Sequence, residues 1–371
     1  MKKLMITTGL LLGILCFAMA QSPKKYILLE EFSTAPCGFC PDGDIVAHNL
    51  VTAHPEVIWV THHAGFGTDS MTINESKTIA STFTTFAPGA CIDRIDAPIP
   101  VYTKPPYIAI SRQKWDSVTS AHLNDTVKAE LQITNSYDTI TRLLDATINV
   151  HFLYAPLQGD LRLNLFIVED SVVGYGPGYD QKSYFNKQVG HPLYGKGDTI
   201  VGYVHHRVVR AIPSTTWGLS GIIPNAPAQG SSYAYTFTDI QIPAKWKNKD
   251  IDVIAFVSYY NSDAKKRTVI NSAHKMLLDN STSAIQSPGL PENMFTIYPI
   301  PSNGLLHLKS TGTSLPYQIS IYSADGSLVR QENLITENAE IQLHELEGGL
   351  YFYRITNDIQ FMQRGKFVLQ K

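Results

Sequence analysis

The sequence predicts an α+β protein of several domains, in which a mixed α/β segment comes first and two segments made of strands follow. Three observations support this prediction. Apolar runs and one amphipathic run alternate in the first part of the chain, whereas side chains alternate with a period of two from about residue 127 onwards. A stretch crowded with serine and proline interrupts the pattern at residues 279–293. Charged residues make up only 17% of the chain, which favours strands over solvated helices.

The first residues predict export. Two lysines precede an apolar run over residues 4–17, and the small-residue motif Ala18-Met19-Ala20 ends it. This order is typical of a secretory signal peptide, which we expect to be residues 1–20. The apolar run is too short for a membrane-spanning helix, which needs roughly 20 apolar residues. We therefore expect the mature chain to be soluble or peripherally held.

Residues 21–115 are predicted to form an α/β domain. Residues 26–32 and 57–60 are apolar runs typical of buried strands. Between them, residues 41–53 carry apolar side chains at helical spacing. A strand–helix–strand order of this kind predicts a parallel strand pair covered by a helix.

Residues 116–278 are predicted to form an antiparallel β-sandwich. Six runs alternate apolar and polar side chains, and clusters of Gly, Pro, Asn and Asp separate them. Half-buried strands with such turns are typical of two antiparallel sheets packed face to face. The predicted strands are residues 127–134, 147–154, 161–167, 203–211, 233–242 and 251–260.

Residues 279–293 are predicted to be a linker, and residues 294–371 a small C-terminal domain. The linker has little to bury. Short strand-like runs and glycine-containing turns follow it, which predicts a small immunoglobulin-like (Ig-like) β-sandwich. The predicted strands are residues 295–298, 306–308, 319–322, 341–343, 350–353 and 367–369.

Charge and motif content exclude several classes of function. The chain has 30 basic and 32 acidic residues, so no net field attracts nucleic acid or an anionic membrane. We expect no nucleic-acid partner. The sequence has no nucleophile elbow, zincin helix or phosphate-binding loop, so it does not support hydrolase activity. We expect no cofactor.

The motif Cys37-Gly38-Phe39-Cys40 is the one group of residues in the sequence to which a chemical mechanism, thiol–disulfide exchange, can be attached. It lies between a predicted strand and a predicted helix, and the N-terminus of a helix stabilises a thiolate. A thiolate attacks disulfides, and a second cysteine two residues away can resolve the mixed disulfide. Removing the signal peptide leaves three cysteines. That number predicts one disulfide plus a leftover thiol, or exchange among the three.

Three interpretations of the motif stay open: a redox-active pair, a structural disulfide between Cys37 and Cys40, and metal ligation. A zinc ion needs four ligands, and nothing in the spacing of the cysteines and histidines demands a four-ligand site. We therefore expect no metal, and we expect Cys91 to be a buried apolar residue. Neighbouring strand residues face opposite ways, so one histidine of each adjacent pair is expected in the core or at an interface. The zinc ligands would be Cys37, Cys40, Cys91 and His62 or His63, and the histidine pairs are His62-His63 and His205-His206.

The residues around the motif resemble a thioredoxin-like fold. Residues 32–40 follow that family's layout of a strand leading into a CxxC motif. The resemblance implies that Glu31 is a buried acid that assists proton transfer. It also implies that Pro88, which precedes a short apolar run, is the family's cis-proline beside the CxxC. The sequence departs from the family at Pro36, where tryptophan is usual, and the segment before residue 95 is short for a full thioredoxin domain.

Residues 26–275 also resemble the 28-kDa outer-membrane-protein (Omp) related family. The resemblance implies a surface protein of the adhesin or receptor type that binds an unknown surface ligand. Besides the CxxC motif, it rests on residues 63–71, 91–94, 163–170 and 205–211.

Roughly the last 75 residues resemble a type A sorting domain of the type IX (Por) secretion system. The resemblance rests on residues 299–304, 321–326, 346–351 and 366–368, and it departs from the family at Ile300, where asparagine is usual. It implies three partners: the secretion machinery, its sorting protease and surface lipopolysaccharide. It also implies that the protein crosses the periplasm and is secreted or held at the cell surface or outer membrane.

Two functional hypotheses follow. The leading one is a surface or secreted binding protein, in which the central sandwich forms the recognition surface and the CxxC domain is a disulfide-stabilised scaffold. The competing one is an extracytoplasmic thiol-disulfide oxidoreductase that uses Cys37, Cys40, Glu31 and Pro88. The sequence leans away from an enzyme.

Overall fold

The computed structural model describes residues 23–98, 107–278, 295–310, 316–324, 327–356 and 361–371. The predicted signal peptide and the predicted linker lie outside these residues. Strands dominate the described part of the chain and form several sheets, as the sequence pattern predicts.

Three α-helices accompany the first sheet. The first contains the predicted helix, and Pro41 is compatible with its first turn because a backbone donor is not needed there. The other two are short and mostly polar, and the sequence pattern does not predict them. The helices are α1 (Cys40–Ala53), α2 (Asn74–Phe83) and α3 (Trp115–His122), with short 3-10 helices at Arg112–Lys114, Asn248–Asp250 and Ala264–Lys266. None of the helices within the described residues has the length and apolar character needed to cross a membrane.

Fifteen strands lie between residues 23 and 278 in the described part of the chain. The longest coincide with the runs of period-two alternation. They are β1 (Ile27–Ser33), β2 (Val57–His63), β3 (Gly89–Ile92), β4 (Ile110–Ser111), β5 (Ala129–Tyr137), β6 (Leu143–Phe152), β7 (Asp160–Glu169), β8 (Val172–Val173), β9 (Gln181–Lys182), β10 (Thr199–Ile200), β11 (Val204–His205), β12 (Val208–Ala211), β13 (Ser232–Gln241), β14 (Ile251–Tyr260) and β15 (Val269–Met276).

Eight of these strands form one mixed sheet, in the order β15-β14-β7-β12-β2-β1-β3-β4. The predicted parallel pair is confirmed, since β1 and β2 run parallel along their whole length. Strand β12 pairs in parallel with β2 and antiparallel with β7. Strands from both sides of the predicted boundary between residues 115 and 116 therefore belong to one sheet. The predicted boundary therefore divides the chain within this sheet, because β12 of the later segment pairs with the edge of β2.

The two faces of the large sheet are covered differently. Leu28 of β1 and Phe166 of β7 pack with α2 on one face. On the other face, Leu29 packs with α1 and α3. Further along that face, Leu165 of β7 packs against a three-stranded antiparallel sheet, β13-β6-β5. The face-to-face packing of strands predicted for the central segment is thus present, but one of its layers is part of the large sheet.

The predicted strand at residues 203–211 is broken into β11 and β12. Arg207 lies between them with a φ of 55°, a left-handed conformation that ends regular strand pairing. The break lets β11 pair with β8 while β12 enters the large sheet.

Within its described residues, the C-terminal part has seven strands in two antiparallel sheets. One sheet has the order β16-β17-β20 and the other β19-β18-β21-β22, and a single apolar core that includes Leu306, Ile321 and Phe367 joins them. All six predicted strands are present, and β19 is additional. The strands are β16 (Phe295–Tyr298), β17 (Leu305–Ser310), β18 (Tyr317–Ser323), β19 (Leu328–Leu334), β20 (Asn338–Gln342), β21 (Gly349–Thr356) and β22 (Phe361–Leu369).

Candidate functional site

The CxxC motif lies at the junction of β1 and α1. β1 ends at Ser33, and the backbone turns so that the Cys37 amide donates to the Thr34 carbonyl at 3.1 Å. α1 then begins at Cys40. Cys37 and Cys40 form a disulfide, and Cys91 is a free thiol. Of the two patterns that three cysteines predict, the structure thus has one disulfide and one leftover thiol.

Cys91 lies on β3 inside the apolar core and has no solvent exposure. Burial raises the pKa of its thiol well above the ordinary value, and the neighbouring Glu30 carboxylate raises it further. A thiol with a raised pKa is a poor nucleophile. Cys91 is therefore a packing residue, as expected.

Glu31 is a fully buried acid behind the motif. The indole Nε1 of Trp59 donates to its Oε2 at 2.9 Å, while Oε1 has no hydrogen-bond partner in the described part of the chain. Burial raises the pKa of Glu31 well above its ordinary value, and the nearby Asp44 carboxyl raises it further. Glu31 thus prefers to hold a proton.

Pro88 lies against the same site. The Ala87–Pro88 peptide bond is cis, and the carbonyl oxygen of Ala87 is 3.6 Å from the Sγ of Cys37. Gly43 of α1 faces this proline so closely that a Cβ at Gly43 would be 2.6 Å from the Cβ of Pro88 and 2.9 Å from Oε1 of Glu31. Glu31, Pro88 and the first turns of α1 therefore form one packed unit around the disulfide.

A long segment covers the CxxC motif. We name residues 172–206, from the start of β8 to the residue after β11, the lid. The ring of Tyr184 lies directly on Gly38 and contacts the ring of Phe39 edge to face, with 5.0 Å between the ring centres. As a result Cys37 is only 3% exposed and Cys40 only 1%. No local pattern indicates this cover, because the lid lies about 140 residues further along the chain than the CxxC motif.

Asp44 and Tyr203 are site residues that sequence reasoning missed. Asp44 lies four residues after Cys40, one turn further along α1, and the hydroxyl of Tyr203 donates to its Oδ2 at 2.7 Å. Burial raises the pKa of Asp44 to about 6, although the hydrogen bond from Tyr203 opposes the shift. Burial and the Asp44 carboxylate raise the pKa of Tyr203. The helical spacing from Cys40 could have indicated Asp44; nothing in the sequence indicates Tyr203.

Both histidine pairs serve the packing around this site. On β2, His62 contacts Ser76 and Glu30, whereas His63 lies 2.6 Å from the Oδ2 of Asp69. The two rings face opposite ways, and both are buried. In the lid, the ring of His205 lies 2.7 Å from the Tyr179 carbonyl oxygen, and burial lowers the pKa of His205 to about 4. His206 instead pairs with Asp170 at 3.1 Å, and this hydrogen bond raises the pKa of His206.

Metal ligation receives no support from this arrangement. Among the residues that the structure describes, no group of three or more histidine, cysteine, aspartate or glutamate side chains could hold a metal ion. The five residues considered as zinc ligands are already engaged: Cys37 and Cys40 form the disulfide, Cys91 lies in the apolar core, and His62 and His63 make separate side-chain contacts.

Comparison with known proteins identifies the C-terminal part. Residues 296–370 match the family described as "Secretion system C-terminal sorting domain". The chain is secreted to the cell surface or outer membrane. The sorting domain implies that the chain interacts with the type IX secretion machinery.

Solved structures show what the fold is similar to. HBP35 of Porphyromonas gingivalis is 19% identical, with 95% of this chain and 100% of that chain covered and a TM-score of 0.53. At this identity the similarity concerns the fold alone. A domain of the outer membrane lipoprotein Omp28 from Porphyromonas gingivalis is 13% identical over 40% of this chain and 86% of that chain, with a TM-score of 0.23. No curated protein matches the chain.

Proposed function

We propose that the protein is a cell-surface binding protein whose recognition surface is the outer face of the lid. The observation that carries the proposal is the distribution of exposed apolar side chains. Between residues 23 and 278, seven of the thirteen large hydrophobic side chains that are exposed in the described structure belong to the lid. Large contiguous apolar patches on soluble proteins usually have a binding role, and in this proposal the lid side chains form one. The seven are Val173, Tyr175, Tyr184, Val189, Tyr194, Val201 and Val204.

The composition of the lid supports a role in recognising another macromolecule. Its 35 residues contain seven glycines and five tyrosines. Tyrosine supplies large, amphipathic contact area at a low cost in side-chain entropy, and glycine permits the turns that present it, the combination that antibody loops use. The presented rings are well exposed: Tyr175 is 76% exposed and Tyr184 65%.

The lid loop is also held in a defined conformation, which favours binding. The side-chain amide of Asn186 donates to Asp198 at 3.0 Å and accepts from the Gly197 amide at 2.8 Å. Behind the loop, the rings of Phe185 and His191 stack with 4.1 Å between their centres. A preorganised loop loses less entropy when it binds than a loop that must first become ordered.

We further propose that the first segment is a thioredoxin-like scaffold and that residues 26–275 are related to the 28-kDa Omp family. The parallel pair β1–β2, the antiparallel β3 after Pro88 and the CxxC at the start of α1 support the scaffold. In this proposal the disulfide is structural. Its burial under the lid favours this role over exchange with external protein disulfides, because a thiol-disulfide oxidoreductase needs an accessible sulfur.

The alternative, an extracytoplasmic oxidoreductase, draws on the buried acid Glu31 and on the position of the disulfide at a helix N-terminus. The reduction potential of the Cys37–Cys40 pair separates the two functions. A potential below about −300 mV marks a structural bridge. A higher potential, together with a mixed disulfide trapped by Cys40→Ser, would establish the oxidoreductase instead.

The binding proposal is tested by presenting the full mature chain to immobilised fibronectin, collagen and mucin and recording binding by biolayer interferometry. We expect at least one of them to bind. A variant with Tyr175→Ser, Tyr184→Ser and Tyr194→Ser should then bind at least tenfold more weakly. Tyr154→Ser, a change at an exposed tyrosine outside the lid, is the matched control. Equal binding by the triple variant, or no binding to any of the three, would contradict the proposal.

We also propose that the sorting protease removes the C-terminal domain and that the processed chain is attached to surface lipopolysaccharide or released. Mass spectrometry of the surface form tests this. The proposal requires that peptides from residues 295–371 are missing from the surface form. Intact C-terminal peptides on surface-exposed protein would contradict it.

A further inference from the structure

The lid is hydrogen-bonded to the backbone of the CxxC loop. The amide of Lys182 donates to the Ala35 carbonyl at 2.9 Å, and the amide of Tyr184 donates to the Gly38 carbonyl at 2.9 Å. Between them, the side-chain amide of Gln181 donates to the Cys37 carbonyl at 2.8 Å. Gln181 is 1% exposed, so this contact is sealed from water.

Aromatic packing completes the cover. A Cβ at Gly38 would lie 2.7 Å from three atoms of the Tyr184 ring, so the ring occupies the space that a side chain between the two cysteines would fill. Phe39 and Phe185 meet edge to face beside it, with 6.0 Å between the ring centres. On the opposite side, the Ala87 carbonyl lies against the Sγ of Cys37.

The lid is also attached to α1 behind the disulfide. The ring of His191 lies 3.0 Å from the Oδ1 of Asp42, and the hydroxyl of Tyr203 donates to Asp44 at 2.7 Å. Most of the lid's attachments are thus polar, and few of its apolar side chains are buried. Segments with few buried apolar contacts open locally at a lower free energy than the sheet they cover.

We propose that the lid gates the Cys37–Cys40 disulfide: external thiols react with it only after the segment around Gln181–Tyr184 has detached from the CxxC loop. The gate does not depend on the binding function proposed above, because it requires no ligand.

The gated reaction is thiol–disulfide exchange. A thiolate of dithiothreitol attacks one sulfur of the pair, the Cys37–Cys40 bond breaks, and the other cysteine leaves as a thiolate that takes a proton from solvent. The second thiol of the reductant then displaces the first cysteine. The reductant ends as a cyclic disulfide, and two electrons have passed to the protein. Each attack requires direct access to a sulfur, which the closed lid denies.

The test is the rate of reduction of the full mature chain by dithiothreitol, followed by alkylation and mass spectrometry of the Cys37 and Cys40 peptides. We expect Gln181→Ala and Tyr184→Ala to raise the rate constant at least tenfold. The equilibrium constant with dithiothreitol should stay unchanged, since a gate alters forward and reverse rates equally. Tyr154→Ala, at an exposed tyrosine outside the lid, should remain within twofold of the wild type. Equal rates for all four proteins would overturn the proposal.

A second measurement needs no variant. In sub-denaturing urea, hydrogen exchange of the Lys182 and Tyr184 amides should accelerate in step with reduction of the wild-type disulfide. Reduction that proceeds while these two amides stay protected would show that the sulfurs are reached without opening the lid, and the gate would be wrong. Neither result bears on whether the lid surface binds a ligand.

Discussion

Arg94 and Glu30 form a two-pronged ion pair inside the large sheet, with Nε 2.7 Å from Oε2 and Nη2 2.7 Å from Oε1. Both side chains are buried, and the guanidinium also lies over the rings of Phe83 and Phe256. Burial alone would raise the pKa of Glu30, but Arg94 and the hydrogen bond with His62 lower it to about 2. The carboxylate therefore stays charged inside the core.

Breaking this pair should be costly. Arg94→Met leaves the Glu30 carboxylate buried without its partner, and we expect the free energy of unfolding to fall by about 3–5 kcal/mol. Adding Glu30→Gln to Arg94→Met should restore part of the loss. Denaturant unfolding of the single and double variants measures both effects. Lys24→Met, which removes an exposed ion pair with Glu56, is the control and should cost less than about 1 kcal/mol. A similarly small cost for Arg94→Met would refute the argument.

Gly43→Ala should destabilise the protein although alanine is the better helix former. Helix propensity favours alanine by about 1 kcal/mol. Here the added Cβ would lie 2.6 Å from Pro88, whose position is fixed by the strand that follows it. Overpacking of this kind costs about 1–3 kcal/mol, so the net change in the free energy of unfolding should be negative. Asn49→Ala, at an exposed position of the same helix, should be neutral or stabilising. A higher melting temperature for Gly43→Ala would contradict the packing described for the site.

Asp44→Asn should stabilise the protein at neutral pH and not in acid. The pKa of Asp44 is raised from 3.8 to about 6 in the folded state, so the folded protein binds this proton more tightly than the unfolded chain. Below pH 3.8 both states are protonated and the carboxyl carries no penalty. As the pH rises towards 6 and above, the unfolded chain ionises more readily and stability is lost.

Asparagine avoids that loss and can still accept the hydrogen bond from Tyr203. Part of the Asp44 residue reaches solvent, which reduces the effect, so we expect a gain of about 1–2 kcal/mol at pH 7.5. Urea unfolding of wild type and Asp44→Asn at pH 7.5 and pH 4 measures the difference. A gain that is equal at both pH values would show that the carboxyl is not the cause.

Removing the disulfide should weaken the fold only moderately. The bridge closes a loop of four residues, for which the chain-entropy relation gives about 2 kcal/mol. Cys37→Ala with Cys40→Ala should therefore remain folded at 25 °C, with its unfolding free energy lowered by about that amount. Circular dichroism followed during urea unfolding provides the measurement. If the double variant were unfolded in the absence of urea, the loop-entropy argument would be insufficient.

Deleting residues 294–371 should abolish surface delivery. The sorting domain is the part of the chain that matches the secretion family, so a shortened chain is expected to remain in the periplasm. Cell fractionation and protease shaving of intact cells, with the full-length chain as the control, measure the location. Surface exposure of the shortened chain would mean that sorting information lies elsewhere.

Local signals in the sequence predicted the parts of the fold that depend on near neighbours. The apolar run of β1 and the helical spacing of α1 placed both elements, and the CxxC motif between them marked the site. The strand β15 escaped prediction because Asn271 and Ser272 are buried polar residues that break its alternation. Asn271 is satisfied there by the backbone of Lys24 and Ala129, partners far away in the sequence.

The rest of the site could not be predicted because distant residues build it. Gln181 and Tyr203 reach the CxxC region from the lid, and neither belongs to a motif with the cysteines. The position of β12 could not be predicted for the same reason. Its apolar pattern fits any buried strand, and only the complete structure shows that it lies between β2 and β7.

Strand β12 joins β2 to β7, with Val208 paired to Thr61 on one side and to Glu169 on the other. Because synthesis proceeds from the N-terminus, β2 exists long before β12 does. Until residues 208–211 arrive, the backbone donors and acceptors on that side of β2 are free to pair with another chain. The nascent protein is thus exposed to aggregation until residues 208–211 have been synthesised and can pair with β2. A chaperone that shields β2 would act during that interval.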